Sequence, residues 1–361
     1  MRSIAVGLLV LGIFHPGLCA GMGLDDPLAP VNASWWQRLG LNLLPAPSPT
    51  ALILAIVDTG VDLDHEEFAD VSGREAYLAR AREADGRCGA LDCCPTAPTG
   101  SPSRAHGTAV AGLITASRAN GVGIAGIGRA GRMVSVDVIG AKGGLAAGLR
   151  CAIEKGARLI NVSMQGQAAP APPPELAAAL ALAEASSVLV VMAAGNGIAD
   201  MDQAPEWPAA LHTRTSLTVT AVDLEDRLTG QHFGRNTVDL AAPATDETAC
   251  SPYPGGAKRY MGRSDPCHSN ASRGAYGRIG QSSAAAAMVT GAALLIWGHP
   301  NYRRCSAEQV RALLLRNARP AAQATTRAAM SPVGGILDLH FLETVVRTSG
   351  GVTAQCSAGP P

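Results

Sequence analysis

Short apolar runs recur along the chain and predict the strands of a single buried sheet. The clearest is Leu52–Val57, a continuous apolar run that includes β-branched residues. A strand without polar positions is typical of a parallel sheet that is covered on both faces. The other predicted strands are Met133–Ile139, Leu159–Ser163, Val188–Met192, Leu217–Val222 and Val238–Ala241.

Between these runs the spacing of apolar positions becomes helical. Alternating strands and helices predict an α/β fold of three layers, α/β/α, with a mostly parallel central sheet. Two stretches interrupt the alternation: 69–103 predicts a surface insertion and 244–279 predicts loop. The predicted helices begin at His106 or cover Gly144–Lys155, Pro174–Ser186, Ser283–Trp297 and Ser306–Asn317, the last with Ser306 as a favourable N-cap.

The first residues have the features of a signal peptide. Arg2 precedes the apolar segment Ile4–Phe14, and Ala20 is a small residue suited to cleavage after Met1–Ala20. The protein is therefore expected outside the cytoplasm, either secreted or periplasmic. An uncleaved apolar N-terminus and a lipid-modified Cys19 are the alternatives.

The rest of the chain is expected to form one large domain with a short extension at each end. The Pro-rich residues 21–50 predict an extended arm that pins Trp35 and Trp36 onto the domain. The domain is expected over 51–346, followed by a C-terminal tail over 347–361. No segment after the signal peptide is apolar and long enough to predict a membrane span.

Composition narrows the class of protein. The 361 residues are 47% hydrophobic but only 4% aromatic, so the core depends on Ala, Val, Leu and Ile. The formal net charge is +0, from 29 basic and 29 acidic residues, without a dense basic cluster. A nucleic-acid partner is not expected from such a balance.

The cysteine count fits an exported protein. Removal of Cys19 with the signal peptide leaves eight of the nine cysteines, and an even number in an exported chain predicts disulfides. Pairing of Cys88 with Cys93 or Cys94, and of Cys250 with Cys267, is plausible from their proximity. A zinc site at Cys88–Cys94 is the competing interpretation, but a second Cys-x-x-Cys pair is lacking.

Four residues have the types and positions needed for nucleophilic catalysis. Asp58 ends a buried strand, His106 opens a helix, Asn196 follows a buried strand between two glycines, and Ser283 opens a helix. A serine becomes a nucleophile when a histidine takes its proton and a carboxylate orients that histidine. The helix start at Ser283 and the Asn196 amide are suitable donors for an oxyanion.

The motifs around these residues resemble those of the subtilisin-like serine peptidases (subtilases, peptidase family S8). Ala55–His65 resembles the aspartate motif of that family, His106–Gly112 its histidine motif, and Ala193–Asn196 its oxyanion motif. Further similar landmarks are Ile160–Ser163, Trp207–Ala209, Val238–Pro243 and Gly334–Asp338. The likeness covers roughly residues 51–345.

The resemblance implies the fold and the activity. It implies a subtilisin-like three-layer fold and an exported serine endopeptidase that cleaves peptides or proteins as a monomer, through the triad Asp58, His106 and Ser283. Asn196 would hold the oxyanion, and Ser163, Met164, Gln165 and Gly166 would bind substrate as an added strand. A catalytically impaired relative that acts as a binding or secretion-accessory module is the alternative. An esterase of the α/β-hydrolase type is disfavoured because its Gly-x-Ser-x-Gly motif is lacking.

Two motifs depart from the family pattern. In Gly280–Gly291 the serine motif aligns through Val289 and Gly291 on Ser283, although alignment from Gly280 would select Ser282. We prefer Ser283, which places Gln281 and Ser282 where the family has Gly and Thr. Gln165 occupies a position at which a glycine is usual, and it either narrows the adjoining pocket or points outwards.

The resemblance also implies a calcium site. No cofactor is required for the proposed chemistry. In the family, however, a carboxylate nine residues after the catalytic aspartate meets a loop that follows the histidine helix, and the two form a structural calcium site. Glu67 and Asn120 occupy these positions, and their oxygens suit Ca²⁺. The alternative is that Glu67 is a solvated surface acid.

Overall fold

The fold is described by a computed structural model that covers residues 26–44, 46–79, 93–95, 104–139, 144–228, 230–244, 249–253, 267, 275–320, 335–347 and 356. The predicted signal peptide lies outside the described residues, as do Cys19 and Cys88. In the described part of the chain, none of the helices combines the length and the apolar character that a membrane span needs.

Seven parallel strands and one antiparallel edge strand form the central sheet, in the order β10-β9-β7-β5-β1-β4-β2-β3. Two further pairs, β11 with β12 and β6 with β8, are antiparallel. The strands are β1 (Thr50–Asp58), β2 (Gly73–Ala79), β3 (Cys93–Pro95), β4 (Ala130–Asp137), β5 (Ala157–Val162), β6 (Gln167–Ala168), β7 (Leu189–Ala193), β8 (Glu206–Trp207), β9 (Ser216–Val222), β10 (Leu240–Pro243), β11 (Ala249–Tyr253) and β12 (Ala275–Ile279).

Helices cover both faces of this sheet. They are α1 (Ala33–Arg38), α2 (Ala105–Thr115), α3 (Gly144–Glu154), α4 (Pro174–Ala185), α5 (Gln281–Gly298), α6 (Ala307–Arg316) and α7 (His340–Arg347). Helices α2, α5 and α6 share one core, as Val110, Met288 and Val310 show, whereas Leu149 of α3 and Leu180 of α4 belong to the other. The predicted three-layer α/β/α fold is thereby confirmed.

The central helix of the larger core is α5. Its residues from Ser282 to Trp297 are all buried, so it is apolar on every side rather than amphipathic. The Ser306 side chain caps α6 as predicted, in a capping box with Gln309.

Two predictions about irregular regions are wrong. The stretch 69–103 is not only a surface insertion, because β2 pairs in parallel with β4 and β3 pairs with β2. The stretch 244–279 is not all loop, because β11 and β12 form a hairpin. Both regions contain polar strands that an apolar-run criterion misses.

The described part of the N-terminal arm contains a helix and is not simply extended, but its tryptophans pack onto the domain as predicted. Trp35 and Trp36 of α1 are buried in the main core. The half-buried Arg118 guanidinium lies 4.7 Å above the Trp36 ring, a cation–π contact. The Asn32 side chain accepts from the Cys250 N–H at 2.9 Å and donates to the Cys250 carbonyl at 3.2 Å, which ties the arm to β11.

Three disulfides join the described cysteines. Cys250–Cys267 forms as predicted. Cys93 pairs with Cys151 of α3, so its predicted pairing with Cys88 is wrong; β3 lies against α3 and brings the two residues together. Cys305–Cys356 fastens the C-terminal tail to a residue two positions before the start of α6.

Candidate active site

The predicted site residues follow three neighbouring strands at one edge of the sheet. Asp58 is the last residue of β1, Ser163 follows β5, and Asn196 follows β7. Because β7, β5 and β1 are adjacent and parallel, their carboxyl ends meet at the same edge. Open α/β sheets place their ligand sites at this edge.

His106 lies beside Asp58 in the first turn of α2. Its Nδ1 is 2.7 Å from Asp58 Oδ1, and the Asp58 side chain is fully buried while that of His106 is 38% exposed. Gly107 permits this approach: a Cβ atom there would lie 2.2 Å from the Gly60 carbonyl oxygen. The Thr108 hydroxyl completes the junction by accepting from the Asp62 N–H at 2.9 Å.

The surroundings of His106 adjust its basicity. Burial acts to lower the pKa of His106, but the charge of Asp58 and its hydrogen bond outweigh that effect, so the pKa is raised above 6.5. Since Nδ1 is held by Asp58, Nε2 is the nitrogen that can exchange protons with a ligand. The pair is thus suited to accept a proton near neutral pH.

Ser283 lies in the first turn of α5, which is anchored to β5. The Ser163 hydroxyl donates to the Ser283 carbonyl at 3.0 Å, and the Ser283 hydroxyl donates to the Ser163 carbonyl at 3.3 Å. Deeper in the core, the Thr290 hydroxyl donates to Asn161 Oδ1 at 2.8 Å. These bonds fix the register of α5 against the strand, and hence the position of Ser283.

Ser282 is oriented differently from Ser283. It is buried; its hydroxyl donates to Asn196 Oδ1 at 2.8 Å and accepts from the Gly195 N–H at 3.2 Å. The Ser282 N–H also donates to Asn196 Oδ1, at 3.2 Å. Because Asn196 Oδ1 is engaged in this way, the amide nitrogen of Asn196 is the atom that can donate to a ligand.

The residue before Ser282 has an unusual backbone. Gln281, the first residue of α5, has φ +62°, in the left-handed region that favours glycine. This is the position at which alignment on Ser283 places a family glycine. The backbone conformation of that motif is therefore present although its glycine is not.

An open cleft of about 550 Å³ brings the candidate residues together. His106, Asn196 and Ser283 line it, together with Gly280, Gln281 and three hairpin residues, Tyr253, Arg278 and Ile279. The sequence analysis had not singled out the three hairpin residues, because β11 and β12 lie in the region expected to be loop.

Gln165 lies between the two segments that flank the cleft. Its side-chain Oε1 accepts from the Asn196 N–H at 3.0 Å, and its Nε2 donates to Glu206 Oε2 at 3.2 Å. Gln165 is exposed, which fits the outward interpretation, but its terminal amide is bonded to the protein through both its oxygen and its nitrogen. It joins the 163–166 segment to the loop that carries Asn196.

Behind Gln165 lies a second histidine–carboxylate pair, which the sequence analysis missed. His232 Nε2 is 3.1 Å from Glu206 Oε1, and His232 Nδ1 is 3.1 Å from the Gly197 carbonyl oxygen. The His232 side chain is 5% exposed. The one signal in the sequence was the acid at 206, which directly precedes the Trp207–Ala209 landmark.

Glu67 and Asn120 meet, as the resemblance implied, but their surroundings do not fit Ca²⁺. Glu67 Oε1 accepts from the Ile124 N–H at 2.6 Å, and Asn120 turns its amide nitrogen, not its oxygen, toward Glu67 Oε2 at 3.5 Å. Burial and, less strongly, the charge of Asp26 raise the pKa of Glu67 to about 8 against the lowering effect of its hydrogen bonds. Both Glu67 oxygens face N–H donors of the protein, an arrangement unlike the all-oxygen shell that Ca²⁺ takes.

Asp26 of the arm occupies the neighbouring loop. Its carboxylate accepts from the backbone N–H groups of Ala119, Asn120 and Gly121 at 2.9, 2.9 and 3.0 Å. Calcium requires oxygens directed inward, whereas this loop directs N–H groups inward. Among the described residues no group of three or more His, Cys, Asp or Glu side chains is arranged to hold a metal ion.

Solved structures share this architecture. Proteases from Pseudoalteromonas arctica PAMC 21717 superpose with a TM-score of 0.65 and 22% identity, over 90% of this chain and 100% of that one. Fervidolysin from Fervidobacterium pennivorans, described as a keratinolytic enzyme related to subtilisin, gives a TM-score of 0.64 and 23% identity, over 84% of this chain and 44% of that one. At these identities the likeness concerns the fold.

Sequence relationships add the family. A cell wall-associated protease of Bacillus subtilis (strain 168) is 32% identical over 200 residues, which are 54% of this chain but only 20% of that protein. The subtilase family matches residues 50–335. Since this match runs from β1 through the helices that carry His106 and Ser283, the chain belongs to the subtilase family of serine peptidases.

Proposed function

We propose that this protein is an endopeptidase that acts through Asp58, His106 and Ser283 and forms an acyl-enzyme on Ser283. The observation that carries the proposal is the convergence of a 2.7 Å imidazole–carboxylate pair, a helix-start serine and the Asn196 amide on one cleft. This set contains a base, a nucleophile and an oxyanion donor.

In the proposed reaction, His106 Nε2 takes the Ser283 hydroxyl proton while the oxygen attacks the peptide carbonyl carbon. The hydroxyl must first leave its weak bond to the Ser163 carbonyl. The oxyanion accepts from the Asn196 amide and from the Ser283 N–H, which lies in the first turn of α5, where N–H groups lack helical partners. The C–N bond then breaks, and His106 gives the proton to the departing amine.

Hydrolysis of the acyl-enzyme repeats these roles. His106 takes a proton from water, the hydroxide attacks the ester carbonyl, and the Ser283 oxygen leaves with the proton that His106 returns. Asp58 stays ionised and stabilises the imidazolium at each stage.

The environment of the two serines favours Ser283 over Ser282 as nucleophile. Ser283 lines the cleft, whereas the Ser282 hydroxyl is buried beneath the oxyanion loop with both a donor and an acceptor as partners. The positive φ of Gln281 supports the same alignment, because it reproduces the backbone expected of a glycine two residues before the nucleophile.

We also propose that the protein works outside the cytoplasm. Three disulfides among the described cysteines fit an oxidising compartment. The relative from Bacillus subtilis is a cell wall-associated protease. Peptide or protein substrates follow from the family, and the expectation of a monomer stays a prediction.

Labelling with a fluorophosphonate probe tests the proposal. The folded protein is expected to be labelled at Ser283, Ser283→Ala to lose labelling and about 10⁶-fold in kcat, and Ser282→Ala to retain labelling at a lower rate. Loss of labelling in Ser282→Ala but not in Ser283→Ala would move the nucleophile to Ser282. A folded wild type that is not labelled would favour the alternative, a binding module.

A further inference from the structure

The proposed reaction fixes where the side chain of the attacked residue (P1) must lie. Its carbonyl carbon meets Ser283 Oγ and its carbonyl oxygen meets the Asn196 amide. The P1 Cα is bonded to that carbonyl carbon, so it lies close to both enzyme groups. The backbone of P1 and the preceding residues would run along 163–166. The P1 side chain is therefore directed into the space between the 163–166 segment and the loop 194–197.

In this protein, side chains already occupy that space. The exposed Gln165 side chain lies there, and its terminal amide accepts from the Asn196 N–H and donates to Glu206. A Cβ atom on Gly195 would lie 2.4 Å from His232 Cδ2 and 3.3 Å from Gln165 Cγ, so both side chains press against the loop. The cleft itself extends toward Tyr253 and does not reach Glu206 in the described part of the chain.

Hydrogen bonds to both atoms of its terminal amide hold the Gln165 side chain in this position. Its oxygen and its nitrogen each have a partner, and those partners are themselves fixed. The Glu206 carboxylate, 15% exposed, is bonded through Oε1 to His232 and through Oε2 to Gln165. His232 is buried and also contacts the Gly197 carbonyl. Displacing Gln165 would therefore break two hydrogen bonds and leave one Glu206 oxygen unpaired.

We infer that Gln165, supported by Glu206 and His232, closes the P1 subsite and restricts this protein to peptides with glycine or alanine at P1. Gln165 is thus a specificity-determining residue. Beneath it, Glu206 is a masked carboxylate that a lysine or arginine side chain could reach only after Gln165 is removed. The inference rests on the proposed function, because attack by Ser283 defines P1.

A peptide series that differs only at P1 tests the inference in the wild type. With alanine, leucine, phenylalanine, norleucine and lysine at P1, kcat/KM is expected to be on the order of 100-fold higher for alanine than for phenylalanine or lysine. Equal cleavage of the alanine and phenylalanine peptides would overturn the inference while leaving the proposed function intact.

Gln165→Gly tests the mechanism of the restriction. The variant breaks the hydrogen bond to the Asn196 N–H, and any resulting loss of turnover affects all peptides equally and cancels in a ratio of two peptides. The ratio of kcat/KM for the phenylalanine peptide to that for the alanine peptide is expected to rise about tenfold or more. The lysine-to-norleucine ratio should rise as well, because the Glu206 carboxylate then meets the ammonium group, and adding Glu206→Gln should cancel that second gain. Unchanged ratios in Gln165→Gly would contradict the closing role.

Two further measurements separate the possible failures. Gln203→Gly is the matched control, since Gln203 is an exposed glutamine bonded to Asp200 at 2.8 Å within its own turn, and it should leave both ratios unchanged. Gln165→Ala provides a second opening variant that is less prone to disturb the backbone. Fluorophosphonate labelling of Ser283 does not depend on a P1 side chain, so its absence would reject the proposed function itself.

Discussion

Two of the histidine–carboxylate pairs among the described residues, His106–Asp58 and His232–Glu206, are built in opposite ways. In His106–Asp58 the carboxylate is fully buried and the imidazole is 38% exposed, at 2.7 Å. In His232–Glu206 the imidazole is 5% exposed and the carboxylate 15%, at 3.1 Å. The first pair turns a ring nitrogen toward the cleft, whereas both ring nitrogens of the second face acceptors of the protein, Gly197 and Glu206.

The difference shows that the residue types alone do not define a proton shuttle. A histidine can pass protons when one nitrogen is fixed and the other meets the substrate. A histidine with both nitrogens engaged and little exposure instead holds two segments together. The geometry of His106 thus suits the proposed proton transfer, whereas that of His232 suits the proposed support of the P1 subsite.

Neutralising each carboxylate in turn is expected to give the largest difference between the two pairs. Asp58→Asn is expected to lower kcat by about 10⁴, because His106 loses its preferred tautomer and the charge that stabilises the imidazolium. Glu206→Gln, measured on the same alanine peptide, should lower kcat less than about tenfold. Similar losses in the two variants would mean that both pairs act in the chemistry.

The pH dependence of kcat/KM is expected to depend on the first pair and not on the second. Activity needs neutral His106, and its pKa is raised above 6.5, so activity should fall as pH drops through a midpoint above 6.5. In Asp58→Asn the midpoint should move to lower pH, because burial then acts without the opposing charge. In Glu206→Gln it should stay where it is in the wild type; a shift there would contradict the separate roles.

The same raised pKa affects stability in the opposite sense. A histidine with a raised folded-state pKa stabilises the fold fully below its unfolded-state pKa, and this contribution is lost as pH rises through the folded-state value. The His106–Asp58 pair thus stabilises the protein most at acidic pH, where the proposed reaction would lack its neutral base.

The smallest expected effect is a loss of stability when the His232–Glu206 pair is removed. His232→Ala should lower the free energy of unfolding by about 1–3 kcal/mol, because it leaves buried acceptors unpaired. Urea unfolding measures this change. His340→Ala is the control: its ring also pairs with a carboxylate, Asp338 at 2.6 Å, but is 47% exposed, so the change should stay below about 1 kcal/mol.

The sequence predicted those parts of the fold that have a local signal. The continuous apolar run of β1 and the capped start of α6 are local features, and both were found. Strand β2 was missed because it lies near the sheet edge, where Arg74 and Glu75 remain partly exposed and interrupt any apolar run. The hairpin of β11 and β12 was missed because its two strands are joined by a long polar segment.

The same distinction applies to the site. Motifs predicted Asp58, His106 and Asn196 because each lies within a short characteristic stretch. The Gln165–Glu206–His232 network joins segments that are 41 and 67 residues apart, and no local pattern reports such a contact. The calcium expectation failed to fit for a similar reason, since the group that faces the 119–121 loop comes from Asp26, far away in the sequence.

The integrated arm bears on where the folded unit starts. The family match begins at residue 50, yet Asp26, Trp35 and Trp36 are buried against the domain that it defines. A recombinant protein trimmed to the match would leave the 119–121 amides without an acceptor and uncover two indole rings of the core. Expression of a soluble enzyme therefore calls for a start point upstream of Asp26.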